Sequence, residues 1–67
     1  MVMKKYKVYD LYDYKEVLDY ADTMQEVKRL ARERMDDTDG ECCIYYAELN
    51  KDSQKYKFSQ RKFLEVC

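Results

Sequence analysis

Residues 23–35 (TMQEVKRLARERM) constrain the fold of this chain more than any other stretch. They are the clearest segment in which apolar residues recur at the helical period. Met24, Val27, Leu30, Ala31 and Met35 fall on one stripe, and Lys28, Arg29, Arg32, Glu33 and Arg34 fill the rest of the circumference. Thr23 with Glu26 has the spacing of a capping box, in which the hydroxyl oxygen accepts from the backbone N–H of residue 26. Arg29 and Glu33 are one turn apart and can pair for a few tenths of a kcal/mol. Asp36 and Asp37 sit where the helix dipole disfavours negative charge, which predicts an end near 35–37. Gly40, the only glycine, marks the reversal after it. An isolated helix of roughly this length is marginal in water, so packing must hold it.

The flanking sequence reads as strands. Residues 4–13 (KKYKVYDLYD) put Tyr6 and Val8 on one face and Tyr9 and Leu11 on the other. Residues 16–21 (EVLDYA) form a short second strand, with Leu18 and Tyr20 on one side and Val17 and Ala21 on the other. The competing reading is a helix over 14–21, because YKEVLDYA also fits an i, i+3, i+4 pattern; a hairpin, however, gives the first strand a partner. After the helix comes an acidic loop over 36–41, then a breaker-free strand over 42–49 (CCIYYAEL). Residues 50–53 (NKDS) have turn composition. Residues 54–66 read as a last strand whose alternation slips between Phe58 and Phe63, which predicts a bulge near 59–61 or a strand that ends and restarts. The expected fold is α+β in ββαββ order, an antiparallel sheet with one helix packed on one face, in a single domain of 67 residues.

A chain this short buries about 60% of the surface its unfolded form exposes, so association would help it. Charged residues make up 40% of the chain, yet the net charge is -1. The charge comes in blocks: bases before residue 8, acids over 10–22, bases in the helix, acids over 36–48, and bases again towards the end. Acidic and basic elements can pair within the fold, each exposed pair contributing about 0–1 kcal/mol. Blocked charge can also steer a charged partner. Residues 1–7 carry lysines without an apolar run after them, which is unlike a secretory signal. No apolar run reaches the roughly 20 residues a membrane span needs. Cys42, Cys43 and Cys67 are odd in number, and two are adjacent, which fits thiols in a reducing cytosol.

Most chemistries are poorly supplied. There is no histidine, the commonest general base near neutrality and the commonest zinc ligand. One glycine cannot build a phosphate-cradling loop. Cys42 and Cys43 stand beside Glu41, which raises a thiol pKa, and read as small buried hydrophobes. In the acidic loop, setting Gly40 at position six of a calcium loop places Met35 at position one and Tyr46 at position twelve. Both ends therefore lack their carboxylates. No catalytic, metal or cofactor site is assigned, and the chain is expected not to be an enzyme.

Large side chains on both faces of a sheet that one helix can cover on only one face predict a surplus aromatic surface. Tyr is enriched at interfaces. The expected partner-binding residues are Tyr9, Leu11, Tyr45, Tyr56 and Phe58, and the expected partner is another protein or a second copy of the chain. The competing partner is nucleic acid, held by Lys55, Lys57, Arg61 and Lys62 between the aromatics of the last strand. Against it, the sequence pI is about 5.4, and nucleic-acid binders are usually basic. The opening YKVYDLYD of residues 6–13, the TMQE cap and the brevity of the chain resemble small accessory proteins of phages and mobile elements. That resemblance implies a protein that inhibits or redirects a host protein or a nucleic-acid enzyme, and it brings no site residues with it. Together these features predict a small non-enzymatic cytoplasmic interaction module.

Overall fold

The structure is a computed structural model and describes residues 3–64. Its elements are β1 (Tyr6–Asp10), β2 (Glu16–Ala21), α1 (Met24–Thr38), β3 (Ile44–Asn50), β4 (Lys55–Tyr56), a 3-10 turn (Phe58–Gln60) and β5 (Lys62–Phe63). The chain is of α+β class. All strand pairs are antiparallel, in the order β2-β1-β3-β4, with β5 also paired to β3. The second strand occupies the expected residues, and the helical reading of that segment is set aside.

The helix starts where its cap requires. Thr23 is extended, and its hydroxyl oxygen accepts from the Glu26 N–H at 3.2 Å. The far end lies at Thr38, one residue past the expected window of 35–37, so that Asp36 and Asp37 are both helical. Local hydrogen bonding outweighs the unfavourable dipole there. The Thr38 hydroxyl donates to the Arg34 carbonyl at 2.8 Å. Asp39 and Gly40 then adopt left-handed backbone with φ 54° and 85°, and the Gly40 N–H reaches the Met35 carbonyl at 2.9 Å. This left-handed closure satisfies carbonyls that the helix end would otherwise leave open.

Two strand expectations change. The first strand ends at Asp10 rather than 13, because the Asp10 carboxylate accepts from the Tyr12 N–H at 3.0 Å and turns the chain aside. The third strand begins at Ile44, so the two cysteines precede it. Of the two readings of the final strand, a bulge or a strand that ends and restarts, the structure has the second, with the 3-10 turn between two short strands. Val66 and Cys67 lie outside the described residues.

Face assignment in β2 also changes. Val8 pairs with Asp19 and Tyr9 with Val17, which leaves Leu18 as the extra residue of a β-bulge. Leu18 therefore packs against the core while Tyr20 meets Lys7 and Tyr56 elsewhere, although simple alternation puts Leu18 and Tyr20 together. The core cluster joins Tyr6, Val8, Ala21, Val27, Ala31, Cys42, Ile44 and Leu64, with Leu18, Met24, Leu30, Met35 and Tyr46 packed against it. The helical stripe read from the sequence is thus the side that reaches this core. Tyr9 and Ala47 are also buried but belong to a different environment, on the opposite face of the sheet.

Candidate functional site

Two places gather polar or aromatic side chains: the second face of the sheet and the end of β1.

On the second face, β1 supplies Lys7 and Tyr9, β2 supplies Val17 and Tyr20, β3 supplies Tyr45, β4 supplies Tyr56, and β5 supplies Phe63. The register sets these positions, since Lys7 pairs with Tyr20, Tyr9 with Tyr45 and Val17, and Tyr45 with Phe63. The 3-10 turn brings Phe58 back over the same face, where its ring meets Tyr9 edge-on at 5.2 Å. Tyr45 and Phe63 pack at 5.3 Å, and Tyr20 and Tyr56 at 5.4 Å. Aromatic pairs at such distances contribute about 0.5–1.5 kcal/mol each beyond the area they bury. Tyr9 is left 2% exposed beneath this layer, whereas Phe63 is 54% and Tyr20 39% exposed.

Cations lie over these rings. The Lys7 ammonium is 5.5, 5.7 and 5.9 Å from the ring centres of Tyr9, Tyr20 and Tyr56. Lys15 stands 4.8 Å from Phe58. The Arg61 guanidinium is 4.2 Å from Phe58 and 5.5 Å from Tyr45. Each such contact contributes about 0.5–1 kcal/mol at an exposed position. Their larger consequence is that positive charge is held at the surface of the aromatic layer. Desolvation by burial, with Tyr20, Asp22 and Tyr9 adding to it, pushes the Tyr56 phenol up. The phenol is therefore un-ionised near neutrality, and its O–H donates to the Lys4 carbonyl.

The structure thus sorts the residues expected from sequence. Tyr9, Tyr45, Tyr56 and Phe58 come together on this face, but Tyr9 is its floor and offers no contact surface. Leu11 lies just beyond β1, half-buried, with its N–H donating to the Cys43 carbonyl at 2.8 Å. The basic quartet does not assemble. Arg61 joins the aromatics, whereas Lys62 pairs with Tyr46 and Lys55 adjoins Tyr56, so both stand on the core side of the sheet. Lys57 is exposed between β4 and the 3-10 turn. Sequence reasoning missed Lys7, Lys15 and Tyr20, and reached Phe63 only as one of the last-strand aromatics of the nucleic-acid alternative. Lys7 shares parity with Tyr9 and was legible in β1; Tyr20 was hidden by the bulge.

Comparison of the chain with family models, with curated proteins and with solved structures gave no match. The site is accordingly read from its own chemistry.

The second place is a polar cluster around Asp10, the one buried charged residue in the described core, 3% exposed. Its Oδ1 accepts from the N–H groups of Tyr12 and Cys43 at 3.0 and 3.1 Å, and its Oδ2 from Arg34 Nε at 2.8 Å. Arg34 also reaches Glu16 at 3.1 Å. Burial alone raises the Asp10 carboxyl, but the Cys43 N–H, the Arg34 guanidinium and the Tyr12 N–H outweigh it and hold the group below its ordinary value. A carboxylate kept ionised and saturated with donors is a poor proton shuttle. Asp10 instead ties the end of β1 to α1 and to the start of β3. Beside it opens a recess of about 220 Å³ lined by the carboxylates of Asp10, Asp13, Glu16 and Glu41, with Arg34, Thr38, Tyr12 and Tyr14. With four carboxylates against the single guanidinium of Arg34, the recess is acidic. No helix among the described residues is long and apolar enough to cross a membrane.

Proposed function

We propose that this chain is a small non-enzymatic interaction module, in which α1 closes one face of a ββαββ-type sheet and the second face binds an anionic partner. The observation that supports this most is the arrangement of Lys7, Lys15 and Arg61 over the aromatic pairs of one sheet face, which include the exposed Phe63. Rings with cations at their rim form a surface that stays wet without a partner yet gains from covering. Net charge does not oppose this, because the carboxylates of the recess and of the acidic helix end lie on other parts of the molecule.

A homodimer is the less favoured arrangement. Pairing of second faces about a two-fold axis would bring the same cations against each other. Pairing through β2 is blunted by its bulge and by the Tyr20 N–H, which donates to Asp19 Oδ1 at 2.8 Å. An accessory or inhibitor role of the kind found in phages and mobile elements fits a cytoplasmic module of this size, and its support is the resemblance of residues 6–13 and of the TMQE cap.

Chromatography on immobilised heparin tests the reading. We expect retention at low ionic strength, elution by added salt, and loss of retention in Arg61→Glu. Passage of the native chain straight through at low salt, or unchanged retention of Arg61→Glu, would contradict it.

A further inference from the structure

We infer that the anionic partner of the second face is single-stranded nucleic acid, with Phe63 as a base-stacking platform and Arg61, Lys15 and Lys7 as the phosphate-facing cations. This rests on the anionic-partner reading above and goes further by naming the chemical class.

Charge complementarity sets the sign of the partner, and the rings decide its class. A single strand offers alternating phosphates and flat π-faces, and it is recognised by aromatic side chains on a sheet with bases beside them. Tyr45, Phe58 and Phe63 lie within one such layer around Arg61, whose guanidinium sits 4.2 Å from the Phe58 ring centre. Phe63 keeps 54% of its surface open, at an edge made by a two-residue strand, so a base can approach it without displacing backbone. Duplex bases are stacked on one another and have no face to give, so a duplex would use the cations but not the ring. An acidic protein segment would likewise use the cations and leave Phe63 indifferent to whether it is a ring or an aliphatic side chain.

The two ends of the face are not equivalent. The Asp22 charge reaches Tyr56 at the end that holds Tyr20 and Lys7. The opposite end holds three rings, Phe58, Tyr45 and Phe63; Arg61 and Lys15 lie over Phe58, Arg61 also over Tyr45, and Phe63 packs on Tyr45 with no cation over its own ring among the described contacts. The stacking centre is therefore placed at Phe63, with Lys7 as an outlying contact. This local arrangement also explains how a chain of pI about 5.4 can carry the site, because association depends on the potential at the face rather than on the total charge.

The test is fluorescence anisotropy with labelled oligothymidylate and oligouridylate of about 15 nucleotides, and with a duplex of the same length, at about 50 and about 200 mM salt. Binding of either single strand in preference to the duplex is expected, with affinity falling about twentyfold between the two salt concentrations, as neutralisation of three phosphates on a single strand predicts. Phe63→Leu should weaken single-strand binding about tenfold, and Phe63→Tyr should restore it to within about twofold. Phe63→Leu gives up the ring pair with Tyr45, so its thermal midpoint is expected to fall by a few degrees while the chain stays folded at the assay temperature, and Phe63→Tyr is expected to keep the native midpoint; both midpoints are measured alongside. Lys28→Glu on α1 should leave affinity within about threefold, the change expected from bulk charge alone. No binding by either single strand, a preference for the duplex, or equal affinity of Phe63→Leu and Phe63→Tyr would overturn the inference. If heparin retention persists in that case, the anionic-partner reading stands and only the nucleic-acid assignment falls. Loss of both would remove the two together.

Discussion

Asp10 shows how much one side chain can organise in a chain this small. Its two oxygens receive two backbone N–H groups and the Arg34 guanidinium, joining β1, α1 and the segment that enters β3. Replacing it by Asn keeps an acceptor for Tyr12 and Cys43 but removes the charge that Arg34 faces. Hydrogen bonds to charged groups contribute about 1.5–3 kcal/mol, and Asp10→Asn is expected to cost about 2 kcal/mol in urea denaturation. The pH dependence follows from the lowered carboxyl. The stabilisation is fully present above the unfolded value of about 3.9 and is lost as pH falls through the lower folded value. Native stability should therefore decline below about pH 4, and Asp10→Asn should decline less steeply over that window. The sequence did not disclose this role. Arg34 reads there as one more solvated residue on the polar side of a helix, and its partner Asp10 lies far along the chain.

At the scale of the elements, the two ends of α1 were unequally legible. The Thr23 cap and the stripe from Met24 to Met35 follow from local spacing, and the structure has both. The C-terminal stop depends instead on the backbone at Asp39 and Gly40 and on the Thr38 hydroxyl, which compete with the charge rule at Asp36 and Asp37. Thr23→Ala should destabilise the fold by about 1 kcal/mol. Asp37→Lys should stabilise it by about 0.3–1 kcal/mol, because it relieves an unfavourable charge at the helix end. Shifts of the urea midpoint in opposite directions would check the pair. The strand reading failed at Leu18, where the bulge resets the alternation, and held at the slip between Phe58 and Phe63, where the 3-10 turn at Phe58–Gln60 ends one strand before the next begins. Each reset also serves the fold, since the bulge blunts the β2 edge and the turn lays Phe58 over Tyr9. Asp19→Val removes the acceptor that occupies the Tyr20 N–H and adds a β-branched apolar residue to the edge. It should raise the scattering mass with concentration above that of the native chain; no difference would show that the edge is protected by other means.

Across the whole molecule, the sequence announced a surplus of aromatics but not how the chain would cover it. Ten aromatics lie outside the helix, and one helix can cover at most one face of a sheet. The chain meets part of that need itself, by folding its C-terminal segment over Tyr9 and stacking Arg61 on Phe58. The remaining surface is smaller than the sequence implied and more basic, because Lys7 and Lys15 join it from the first half of the chain. The charge blocks along the sequence become a separation in space, with carboxylates around the recess beside Arg34 and cations on the aromatic face. The most direct test of that separation is a map of backbone amide NMR shifts during titration with a short heparin oligosaccharide. The account predicts that the shifts concentrate at Lys7, Tyr45, Arg61 and Phe63. Shifts centred instead on Lys28, Arg29 and Arg32 of α1 would contradict it.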